Sequence, residues 1–73
     1  MVEVGQKYVV RPAFGRMTMD KSGEQIGQVV YIHPQGHYAV LEFDGIDGRP
    51  RECFHLDELT KANFAGYGKR KKP

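Results

Sequence analysis

The sequence predicts an all-β protein: a small barrel of about five antiparallel strands, with a short helical turn before the last one. Three observations lead there. Two runs rich in β-branched and aromatic residues, from Gly27 to His33 and from His37 to Asp44, flank the turn residues Pro34-Gln35-Gly36, which is the pattern of a β-hairpin. Shorter strand-like runs lie on either side of it, separated by turn residues. The chain has 73 residues, enough for one domain. A domain of that size buries only ~60% of its unfolded surface, so its core is thin and leaves little room for a deep catalytic cleft.

The elements follow in order. Tyr8 to Arg11 reads as the first strand, ended by Pro12, which cannot donate to a ladder. Ala13 to Gln25 carries Gly15, Asp20, Ser22 and Gly23 and reads as a long excursion, a loose hairpin arm. The second strand runs from Ile26 to His33. Pro34 presets the second position of a type I turn and Gly36 takes the left-handed position after it, a three-residue loop that sets His33 beside His37. The third strand runs from His37 to Asp44, the turn from Gly45 to Gly48, and the fourth strand from Arg49 to His55. Leu56 to Leu59 reads as one helical turn, and Thr60 to Phe64 as the closing strand. Residues 1–64 are therefore expected to form the barrel. Residues 65–73, interrupted by glycine and then basic, are expected to form a flexible tail.

Pairing the third and fourth strands through their turn sets Asp44 against Arg49 and Glu42 against Arg51, two ion pairs on one face. The other face then carries Ala39, Leu41, Phe43 and Phe54, with Val29 and Tyr31 joining it across the first turn. Val30, Ile32, Tyr38, Val40 and Cys53 are left on the outer face. An apolar outer set is unusual in so small a sheet. Either a strand kink near Val30 and Tyr31 turns part of it inward, or Phe64 and Tyr67 fold back over it, or it is a partner surface.

Gly5 through Val10, Gly15, the run Ile26-Gly27-Gln28-Val29-Val30-Tyr31-Ile32, and Val40 resemble the KOW and Tudor-type SH3-like barrels over roughly residues 4–59. The resemblance implies an SH3-like barrel in which Gly27 precedes the second strand and Val29 and Ile32 turn inward. It also implies association with nucleic acid or a ribonucleoprotein.

Charge bears on that expectation. Of eleven basic residues, four are Lys69, Arg70, Lys71 and Lys72, which leaves seven against nine acidic residues and a body near −2. The basic character belongs to the tail. Four phosphate contacts by that tail on DNA would give a salt slope of about −3.6. Arg11, Arg16 and Lys21, in or near the long loop, extend the basic surface, and Tyr8, Tyr31 and Tyr38 are candidate stacking platforms. The competing expectation is a protein partner, or a weak dimer, on Val30, Ile32, Tyr38 and Val40.

Other chemistry finds little support. His33, His37, Cys53 and His55 provide four potential zinc ligands, but their spacing lacks the paired elements of structural zinc sites, and the two pairs are expected at different ends of the sheet. Ser22, the sole serine, falls in the long loop, and Cys53 falls mid-strand without a helix N-terminus to activate it. Cross-strand arginines occupy most of the acidic residues. No nucleophile, base and orienting group come together, so the expectation is a non-enzymatic module without cofactor or metal. One cysteine, no signal peptide and no apolar run near membrane-spanning length point to a reducing, cytoplasmic setting.

Overall fold

The computed structural model of the protein describes residues 1–14, 22–44 and 47–68. Five strands, β1 (Gln6–Val10), β2 (Gln25–Ile32), β3 (Tyr38–Glu42), β4 (Arg51–His55) and β5 (Asn63–Tyr67), form one antiparallel sheet. Among the described residues one short helix, α1 (Leu56–Thr60), joins β4 to β5. The strand order is β4-β3-β2-β1-β5. The long β2 is shared: its first half pairs with β1 and its second half with β3.

Alternation sets the core. On β1, Gln6, Tyr8 and Val10 turn inward; on β3, Ala39 and Leu41 do so; Phe54 follows from β4 and Val29 from β2. Phe43 and Leu59 of α1 complete the buried set. The segment after β1 folds over this face. Phe14 meets Phe43 edge to face with ring centroids 4.9 Å apart, and the Ala13 N–H donates to Glu52 Oε2 at 2.8 Å. Gln6 is buried without penalty because its Oε1 accepts both the Glu3 N–H and the Tyr8 hydroxyl at 2.7 Å.

Gly27 does not precede the second strand but lies inside it, as the third residue of β2. The reason is close packing. A Cβ at this position would lie 2.7 Å from Cε2 of Phe43, so only glycine lets the Phe43 ring seat against the strand.

The hairpin departs from the expected three-residue loop. The Gly36 N–H donates to the His33 carbonyl at 2.8 Å, closing the turn around Pro34 and Gln35, with Gly36 at φ +74°. His33 and Tyr38 then bond across the strands at 2.9 Å, so the loop spans four residues. The extra residue is absorbed further down. Val29 faces Leu41, but Tyr31 faces Val40 and Ile32 faces Ala39, leaving Val30 as a bulge.

That bulge reverses two side chains. Tyr31 is turned outward and 46% exposed, whereas Ile32 packs against the core as the family resemblance implied. The β3–β4 pairing is the expected one, with Glu42 opposite Arg51, Val40 opposite Cys53 and Ala39 opposite Phe54. The two ion pairs form at 3.0 Å (Arg51–Glu42) and 3.7 Å (Arg49–Asp44).

The last strand lies later than expected. It pairs with β1 through Tyr67, and Ala65 is the extra residue where Lys7 faces Gly66 and Tyr8 faces Phe64. Residues 65–67 thus belong to the sheet rather than to a tail, and the Gly68 N–H still donates to the Gly5 carbonyl at 2.7 Å.

Candidate functional site

The outer face of β2, β3 and β4 carries the candidate site. Its foot is polar, a rung running Arg51, Glu42, Gln28 and Lys7 across four strands. Above that stand Cys53, Val40 and Tyr31, and above them His55 and Tyr38. The hairpin tip adds His33 and His37.

The rings form a continuous column. His37 and His33 lie 4.9 Å apart between centroids, His33 and Tyr38 4.9 Å, and Tyr38 and Tyr31 6.3 Å. Interplanar angles of 38° to 44° make them tilted neighbours rather than edge-to-face pairs. Tyr31 and His37 are exposed, and His33 and Tyr38 half-buried. Alternation on β3 and the Val30 bulge on β2 together bring Tyr38 and Tyr31 to the same side. The bulge is the strand kink near Val30 and Tyr31 that the sequence offered as one of three alternatives; a strand of unbroken register would have put Tyr31 in the core.

Two histidines are tethered through Gln35. Its backbone N–H donates to His33 Nδ1 at 3.1 Å, and its Oε1 lies 3.2 Å from His37 Nε2. His55 stands at the same end of the sheet, opposite Tyr38, which corrects the expectation that the histidine pairs lie at different ends. The cause is the β3–β4 register itself, which sets His55 opposite Tyr38 once Glu42 faces Arg51. Among the described residues no group of three or more His, Cys, Asp or Glu side chains is disposed to hold a metal ion.

Of the other singled-out residues, Val30, Val40 and Tyr38 are half-buried on or beside this face, while Ile32 has left it for the core. Cys53 is exposed on β4 beside Val40. Arg11 is exposed at the end of β1, on the far side of the sheet from the tip, and pairs with Glu24 at 3.6 Å. Arg16, Lys21, Lys69, Arg70, Lys71 and Lys72 lie outside the described residues. The root of the basic segment is nevertheless defined: Gly68 and the Gln28 amide both donate to the Gly5 carbonyl, at 2.7 and 3.5 Å. Gln28 belongs to the outer rung, three residues and so about 10 Å down β2 from Tyr31.

A second aromatic cluster lies at the β5 edge. Tyr8 meets Phe64 at 5.8 Å and Phe64 meets Tyr67 at 5.5 Å, both edge to face. Phe64 and Tyr67 are exposed, so they do not cover the outer face of the hairpin. Burial raises the Tyr8 phenol above its ordinary value, with Tyr67 and Glu3 adding to the rise. Among the described residues no helix is long and apolar enough to cross a membrane. Comparison with protein-family models, with curated proteins and with solved structures finds no match for this chain.

Proposed function

We propose that this protein is a non-catalytic binding module on an SH3-like barrel, and that it takes single-stranded nucleic acid on the outer face of the β2–β3 hairpin. The barrel is supported by the strand order, by the one-turn helix between β4 and β5, and by the bond from Ala13 to Glu52, which draws the exit of β1 toward β4. A cytoplasmic setting accords with the single cysteine.

The observation that carries the ligand is the column His37, His33, Tyr38 and Tyr31, ordered along one solvent-facing surface. Every base has a π-face, so such a column accepts successive bases without reading sequence, at ~1–3 kcal/mol per stacked base. Lys69, Arg70, Lys71 and Lys72 follow directly on Gly68, whose neighbour Gln28 shares this face, and supply phosphate contacts. Arg11, Arg16 and Lys21 add to the basic charge of the first loop. Duplex DNA keeps its bases stacked inside and offers this column nothing to stack on.

A titration of fluorescein-labelled dT15 at two salt concentrations tests the proposal. Tyr31→Ala and Tyr38→Ala are each expected to weaken binding roughly 5- to 150-fold. Deleting Lys69–Pro73 is expected to lower the salt slope by up to about 2.8. Affinity unchanged by either tyrosine substitution sinks the reading.

A protein partner is the second reading. The half-buried Val30 and Val40 beside Tyr38 and the net-negative body favour it. It predicts binding or self-association that ignores the tail deletion and is weakened by Tyr38→Ser or Val40→Ser.

A further inference from the structure

We propose that His33, His37 and His55 form a proton-dependent site for the phosphodiester groups of a strand stacked on the ring column. The inference rests on the single-strand reading above and adds to it a second kind of contact, made by charge rather than by stacking.

All three histidines of the chain gather around Tyr38, although they come from the end of β2, the hairpin tip and the end of β4. His33 is its ring neighbour at 4.9 Å, His37 precedes it and lies 4.9 Å from His33, and His55 faces it across the β3–β4 ladder. Histidine is the side chain whose ordinary charge change falls between pH 5 and 8. A proton gained by an imidazole adds a charge and leaves the ring aromatic.

The tip geometry says what the protonated form needs. Neutral His33 accepts the Gln35 N–H at Nδ1, 3.1 Å away. A proton added to Nδ1 removes that acceptor and sets two N–H groups head to head, so the Gln35 N–H must turn aside unless an anion takes both. An anionic oxygen entering between them accepts from both. His37 Nε2 is held by the Gln35 side chain at 3.2 Å, which leaves Nδ1 as the nitrogen for a ligand.

The surroundings do not neutralise this charge. Among the described residues the three ion pairs all use arginine, and no carboxylate pairs with a histidine ring. From β2 the site is faced by Tyr31. From β3 and β4 it is faced by Tyr38, Cys53 and the Glu42–Arg51 pair, in which Arg51 holds the carboxylate at 3.0 Å. From α1 come Asp57 and Glu58, the latter accepting the backbone N–H of His55 at 2.9 Å. Protonation thus adds uncompensated positive charge at His33 and His37, and a polyanion binds more tightly as pH falls.

The test is the affinity of full-length protein for labelled dT15 at pH 7.5 and 5.5, thymine having no proton to gain in that range. Wild-type protein is expected to bind roughly tenfold tighter at pH 5.5, as one charge-assisted contact provides. Its salt slope is expected to steepen by about 0.7 for each phosphate newly neutralised. The variant His33→Gln/His37→Gln/His55→Gln should lose the pH response, and its binding at pH 7.5 should itself be weakened because two rings of the column are gone. Should the triple variant fail to fold, His33→Gln/His37→Gln should lose most of the response. The same strand with uncharged methylphosphonate links should bind equally at both pH values. A pH response retained by the histidine variants, or shown equally by the uncharged strand, overturns the site. Equal wild-type binding at both pH values, still weakened by Tyr38→Ala, overturns the site and leaves the stacking reading standing. No binding of dT15 at either pH removes both.

Discussion

Tyr31 stands opposite Val40, one step out of the register that sets Val29 opposite Leu41. Everything distinctive about the outer face follows from that step. Val30 fills it, Tyr31 turns to solvent, and Ile32 turns to the core in its place.

The exchange of faces predicts unequal costs for adjacent substitutions. Tyr31→Ser should change unfolding stability by no more than about 0.5 kcal/mol, because the side chain is largely in water already. Ile32→Ala should cost about 1–2 kcal/mol, less than a fully buried isoleucine because it is only partly covered. Urea unfolding of the two variants decides the matter, and equal losses would argue that the bulge does not hold in solution.

Gly27 and Phe43 predict a clash that can be relieved. Gly27→Ala should destabilise the protein by about 1–3 kcal/mol through overpacking against the ring. Adding Phe43→Leu should recover part of that loss, since the offending ring atoms are gone. A double-mutant cycle in urea reads the coupling, and strictly additive losses would contradict the contact.

The Tyr8 phenol predicts a base-side loss of stability. Its folded pKa lies above the unfolded value of 10.0, chiefly through burial. A raised folded value means the contribution is fully present below about pH 10 and is lost as pH climbs through the folded value. Tyr8→Phe should cost about 1 kcal/mol near neutrality for the lost bond to Gln6, whose Oε1 still accepts from Glu3. Above pH 10 the variant should lose stability less steeply than the wild type in thermal melts. Parallel curves would show that Tyr8 is ionising as freely in the fold as out of it.

The Arg51–Glu42 pair is short but exposed on the arginine side. Its coupling energy should be about 0.2–1 kcal/mol in a double-mutant cycle, and should shrink in 1 M salt. A larger or salt-insensitive coupling would mean that the pair is buried by something else in solution.

Much of the sheet was legible because it rests on local chemistry. Pro34 and Gly36 announce their turn, since one presets a backbone angle and the other tolerates a positive φ. Alternation in β3 and β4 yields the correct partners from Glu42–Arg51 to Ala39–Phe54, because a period of two allows one face to be buried and no other. The end of β5 was not legible. Gly66 and Gly68 suggest a flexible tail, yet β1 offers a free ladder, and a bulge at Ala65 lets the chain stay on it.

The chain by itself determined the first four strands, the turn at Pro34–Gly36, the β3–β4 register and the separation of a net-negative body from a basic end. These depend on the residue types and their spacing along a few positions. Only the tertiary structure decided which way Tyr31 and Ile32 point, that His33 faces Tyr38 across the hairpin, and that Gly68 lies beside Gln28. Each of these depends on where one extra residue is accommodated. A four-residue loop and a compensating bulge leave the same sequence pattern as a three-residue loop and a straight strand. What separates them is the packing of Val29 and Leu41 below, which holds the lower register while the turn sets the upper one.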